Sequence, residues 1–226
     1  MLIEAGVDPN TPDNHSIAPV HRAAASGDAG VFGEIIRTPP SLEKGQAVVD
    51  AEGWTPLHWN VSSGHFLIAH RILGYQGSAY RVESHEQYGT LSSRTQLGRT
   101  PLHLAALSGN STFIRALGRR AVQRHNHVNA QDFKGQTALH LAAAYGHLRS
   151  AEILVRYGAS TAIQDHAGKT AAERAADMGN NAISAMLVKL PNCYASITAM
   201  DVGEMKEVVN RMVKYERGTR KNSLDT

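Results

Sequence analysis

Among the side chains able to do chemistry, histidine stands out: there are twelve, and four of them recur in one motif. His21, His58, His103 and His140 lie in "APVHRAAASGD", "TPLHWNVSSGH", "TPLHLAALSGN" and "TALHLAAAYGH". A metal site needs ligands that converge on one ion, whereas motif copies 37, 45 and 37 residues apart put each His in a different structural unit. "RHNH" at 124–127 sets His125 and His127 two apart with no Cys or carboxylate nearby; as a zinc pattern it is weak, and both residues read as solvated. The single Cys193 has no base or ligand cluster around it and reads as a small buried apolar residue. No GxSxG occurs, no Gly-rich loop follows a strand, and no Cys/His or paired-carboxylate set can be assembled within one unit. The residues therefore predict no catalytic centre, no metal and no cofactor.

Composition narrows the classes further. With 42% hydrophobic and 19% charged residues the chain reads as an ordinary soluble protein, and no apolar run approaches the roughly 18 residues of a membrane helix. Glu4 and Asp8 interrupt the one stretch that could resemble a signal peptide. One cysteine allows no internal disulfide and suits a reducing, intracellular setting, read here as cytoplasmic. Charge is uneven: residues 1–60 carry eight acidic against three basic residues, and residues 87–131 carry six Arg and no acid. A one-signed block of that kind can attract an acidic protein surface or a phosphate backbone.

The four histidine motifs define a repeat, with a weaker fifth copy, "TAAERAADMGN", from Thr170. Thr is a good N-cap and Pro fits the first helical position, so "TPLH" starts a helix. Paired alanines such as Ala105 with Ala106 and Ala142 with Ala143 let neighbouring helices approach closely. That helix ends at a Gly able to adopt the left-handed conformation: Gly27, Gly64, Gly109, Gly146 or Gly179. A second helix comes next, with one buried face, as in Val31, Phe32, Ile35 and Ile36. "VNAQDFKG" at 128–135 is the cleanest copy of the connecting turn.

In these residues the chain resembles the ankyrin-repeat family, over essentially residues 2–190. The resemblance implies an all-α solenoid of stacked helix-turn-helix units with β-hairpin-like turns projecting to one side. It divides the chain into the tail of a partial N-terminal repeat at 1–15, five units over 16–190 and a degenerate C-terminal capping repeat at 191–215, then a polar tail at 216–226. Between Leu73 and Gly98 the connector is longer than a unit needs, an insertion at about 74–97 that reads as a partner-binding loop or a tolerated addition. Asn60 and Val61 replace the alanine pair in the second unit, which predicts a locally irregular helix contact. The motif His is structural in the family, hydrogen-bonding across the turn region.

The family binds partners through hairpin tips, the residue before the Thr, and the two residues before the inter-helix Gly. Carried over residue by residue, these positions hold Glu52, Trp54, Ser62 and Ser63 in the second unit and Arg99, Leu107 and Ser108 in the third. The fourth supplies Phe133, Lys134, Gln136 and Tyr145, and the fifth His166, Lys169, Asp177 and Met178. Trp54, Phe133 and Tyr145 are expected to be wet and to anchor a partner, while Arg99, Lys134 and Lys169 would complement acidic groups. Trp59 takes the Leu position of "TPLHL", so burial is expected for it. The expected function is a non-catalytic protein-interaction module or scaffold, a subunit of a larger assembly. The alternative is an assembly factor that contacts RNA or DNA through the Arg-rich segment 94–124, against which stands the lack of aromatics among those Arg residues. Leu2, Ile3 and Gly6 align with the end of a second helix, so a further N-terminal portion or a covering partner is expected beside the first unit.

Overall fold

The computed structural model describes residues 11–37, 48–73, 90–123 and 127–189. Ten α-helices lie in this part, paired into five layers. The pairs are α1 (Pro19–Ser26) with α2 (Ala29–Arg37), α3 (Pro56–Ser63) with α4 (Phe66–Ile72), and α5 (Pro101–Leu107) with α6 (Ser111–Gln123). They continue with α7 (Ala138–Ala144) and α8 (Leu148–Arg156), then α9 (Ala171–Asp177) and α10 (Asn181–Lys189). The odd-numbered helices stack in chain order as an inner row, and α2 meets α4, α6 meets α8 and α8 meets α10 in an outer row. This is the all-α solenoid expected from the repeat.

Each hairpin is built by one side chain. Asp50 Oδ1 accepts the backbone N–H groups of Glu52 and Trp54 at 2.9 and 2.8 Å. Asp13, Asp132 and Asp165 do the same for their own turns, a local bond that short acidic side chains favour. The third layer uses Thr95, whose Oγ1 accepts from Leu97 and Arg99 at 3.3 Å. Residues 90–97 thus belong to the third hairpin, and the rest of the expected insertion, 74–89, lies outside the described residues, as do the segments 1–10 and 190–226. Adjacent tips are joined by backbone bonds: Ala51 donates to His15, Gln96 to Glu52, Phe133 to Leu97 and His166 to Lys134, at 2.9 to 3.2 Å. The tips therefore form a continuous ladder that sets the layer spacing.

The core runs the length of the stack. Phe32, Leu57, Ile68, Phe113, Ile114, Leu117, Leu139, Leu141 and Leu154 are fully buried, and Val31, expected on the buried face of α2, is exposed. Where helices turn, the residue after the Gly reaches back one layer. His147 Nε2 donates to the Leu107 carbonyl at 3.0 Å, and the Asn180 amide donates to Ala143 and Ala144 at 3.0 and 2.8 Å. Gly109, at φ +68°, is required twice over, since a Cβ there would also sit 2.6 Å from the His147 ring. In the second layer Asn60 is buried, and its amide donates to Ala24 and His65 carbonyls at 3.1 and 2.7 Å while its Oδ1 has no partner. The irregularity expected there takes this form.

Candidate functional site

The recurring histidines act as pins between layers. In the fourth unit Nδ1 of His140 accepts the Thr137 backbone N–H at 3.2 Å and lies 2.8 Å from the Thr137 hydroxyl. Its Nε2, which then carries the proton, donates to the Lys169 carbonyl of the fifth layer at 3.1 Å. His21 and His103 repeat the arrangement toward the Trp54 and Gln136 carbonyls, at 3.1 and 3.0 Å. His58 departs from it: Nε2 faces the Arg99 and Ser93 carbonyls without closing a hydrogen bond of normal geometry. Burial disfavours the imidazolium and lowers the pKa of all four, to about 4 for His58 and His103. Both ring nitrogens of His21, His103 and His140 are occupied by hydrogen bonds within the stack, the structural role expected for the motif histidine.

The expected partner-binding residues divide into three groups. Phe133, Tyr145 and Met178 are 66%, 60% and 61% exposed, and Lys134 is exposed beside Phe133 at the same tip. Arg99 and Lys169 are committed internally: Arg99 Nε lies 3.6 Å from Asp132 Oδ2, and the Lys169 ammonium pairs with Asp177. Gln136 is half-buried, and its carbonyl receives the His103 bond.

Trp54 is a correction. Expected to be wet, it is half-buried and packs against the core, its ring edge-to-face with Trp59 at 6.2 Å. It also meets the His58 ring at 6.3 Å, so the start of the helix that it precedes folds against it, a contact that motif position does not reveal. Trp54→Ala is accordingly expected to lower stability by about 1–3 kcal/mol, measurable by urea denaturation, whether or not it weakens a partner. Trp59, expected to be buried, is half-buried, and its indole N–H donates to Asp50 Oδ2 at 2.8 Å.

Two residues were not legible from motif position. Leu97 is 56% exposed at the third tip, next to Phe133, whose ring lies over Gly98. The available signal was its register, two residues after the Thr95 that replaces the hairpin aspartate. Arg94 opens the Arg-rich segment, yet its Nη1 donates to the Gly98 and Gln131 carbonyls at 2.8 and 2.7 Å, tying two hairpins together. With Arg99 also paired, the start of that block serves the stack.

What the arrangement offers is a non-covalent surface. Hairpin tips and the C-terminal ends of inner helices carry exposed apolar side chains above backbone groups that are already bonded.

Comparison with known proteins agrees with this geometry. The yeast Saccharomyces cerevisiae protein named probable 26S proteasome regulatory subunit p28 is 29% identical over 162 residues, 72% of this chain and 65% of that one. A zebrafish (Danio rerio) protein named putative palmitoyltransferase ZDHHC13 is 28% identical over 77% of this chain and 30% of its own length. Human ankyrin repeat domain-containing protein 63 is 31% identical over 44% of this chain and 26% of its own. The chain thus spans less than two thirds of these relatives. The family description "Ankyrin repeats (3 copies)" matches residues 21–123, 80–165 and 120–201, and with five layers of the same helix-pair geometry, the chain belongs to the ankyrin-repeat family.

Proposed function

We propose that the chain is a non-catalytic interaction module that holds a partner protein on the face formed by hairpin tips and inner-helix ends. The observation that carries this is the exposure of Leu97, Phe133, Tyr145 and Met178 on that face. Isolated surface apolar residues are ordinary, but here Leu97 and Phe133 adjoin at neighbouring hairpin tips and Tyr145 and Met178 share the position before the inter-helix Gly in successive units, a grouping that suits an interface. The name of the yeast relative, a regulatory subunit, favours a place in a larger assembly. Cys193 as the sole cysteine favours a cytoplasmic setting. Complementarity to acidic groups falls chiefly on Lys134, because Arg99 and Lys169 have internal partners.

The test is partner capture from a lysate followed by mass spectrometry. Phe133→Ala and Tyr145→Ala are each expected to reduce capture about tenfold, as interface anchors do. Stability should stay within about 0.5 kcal/mol of the parent, as for exposed sites. Unchanged capture by both variants would remove the proposal.

A further inference from the structure

Four of the five hairpins open on an aspartate, and three of those carboxylates meet an arginine. Asp13 pairs with Arg22 at 2.8 Å, Asp132 with Arg99 at 3.6 Å, and Asp165 with Arg174. The arginines of the first and last pairs occupy the inner-helix position immediately after the motif residue His21 or Glu173. In the second layer that position is Trp59, so Asp50 receives an indole N–H, a donor without charge. Asp50 is 8% exposed, and no cation pairs with it among the described residues. Both Asp50 oxygens are hydrogen-bonded already, so a cation brought alongside would complement its charge and find its own hydrogen-bond acceptor elsewhere.

The space for such a cation lies beside it. An open groove of about 480 Å³ is lined by Asp50, Glu52, Trp54, Trp59, Ser63 and His15, among others. Ser63 in this lining is small, where the fourth layer has Tyr145 and the fifth has Met178. The two indoles meet at 70°, and Glu52 is exposed at the hairpin tip with no ion pair among the described residues. The surrounding sequence is acidic as well: residues 1–60 carry eight acids against three bases.

We infer that this groove receives an arginine side chain from an extended basic segment of the partner protein, its guanidinium against the indoles and its N–H groups on the Glu52 carboxylate. A planar guanidinium stacks on aromatic faces and matches a carboxylate in two-point contact, which an ammonium does not. The inference rests on the reading of this face as the partner-binding one and supplies the partner's chemistry at its N-terminal end.

Trp54 and Trp59 are the chain's two tryptophans, so the intrinsic fluorescence of the full chain reports this groove directly. The probe is the Trp-free peptide acetyl-Ser-Arg-Gly-Arg-Ser-amide, with a citrulline-for-arginine peptide as its uncharged isostere. The arginine peptide is expected to give a saturable emission change, at least about tenfold tighter than the isostere and weakened by salt. Glu52→Gln should weaken it about fivefold with an unchanged thermal midpoint, because the Glu52 side chain holds no partner among the described residues. A response equal to the isostere's, or one indifferent to Glu52→Gln, overturns the inference. If the peptide is silent while Phe133→Ala and Tyr145→Ala still reduce capture, the arginine groove falls and the interaction module stands. If the peptide binds as stated while both variants capture normally, the groove stands and the wider face falls.

Discussion

Between pH 7 and pH 5 the protein is expected to lose about 4 kcal/mol of stability from His58 and His103 alone. Both sit neutral inside the stack with pKa lowered from 6.5 to about 4, burial being the principal cause. The sign comes from proton uptake. As pH falls through 6.5 the unfolded chain takes up protons that the native state refuses until about pH 4, so acid favours unfolding in that interval and the loss levels off below it. At pH 5 each site contributes roughly 2 kcal/mol. His21 and His140, lowered for the same reason, act in the same direction. The carboxylates fall in a lower window: Asp13, held down to about 2 chiefly by its bond to Arg22, and Asp165 and Glu173, also lowered, release their stabilisation only as they protonate. Urea denaturation at pH 7, 6 and 5 measures the effect, and His103→Gln should be less stable throughout yet show a shallower pH dependence. Equal stability at pH 7 and 5 would mean that the histidines are protonated in place.

Phe113→Ala is expected to cost about 3–5 kcal/mol, the usual result of emptying a buried aromatic site. Phe113 is 0% exposed in α6 and meets Phe66 of α4 edge-on, ring centroids 5.7 Å apart. That contact joins the second and third layers at the junction where the inner row is weakest in polar terms. His58 Nε2, facing the third layer, is buried there without a hydrogen bond. In a solenoid each layer is stabilised by its neighbours alone, so the loss is not shared evenly along the stack. The variant should unfold in two stages, with layers one and two melting before layers three to five. Tryptophan fluorescence reports the second layer, since both tryptophans lie in it, and far-ultraviolet circular dichroism reports all helices; in urea their midpoints should separate. A single coincident transition shifted by less than about 1 kcal/mol would show that the junction is better coupled than its bonds suggest.

The sequence by itself determined the units, their helix starts and stops, and the structural role of the histidines. These depend on contacts within about four residues: Thr137 with His140, Asp132 with Gln136, a Gly after a short helix. Local geometry of that kind is spelled out in residue type and spacing, and repetition multiplied the signal. It also identified Phe133, Tyr145 and Met178 as exposed, because the large side chains stand at positions where the repeat supplies no cover. Tertiary structure alone decided which of the other candidates are available. Arg99 is taken by Asp132 from the next layer and Lys169 by Asp177 across its own helix, while Trp54 packs partly into the core and with Trp59 lines a groove. Trp59, chosen for burial by its Leu-like position, holds Asp50 as well, leaving that carboxylate without a cation among the described residues. Motif position fixes where a side chain starts, but its exposure and charge balance are set by the neighbour placed against it, and across layers that neighbour lies some thirty to forty-five residues away in the chain.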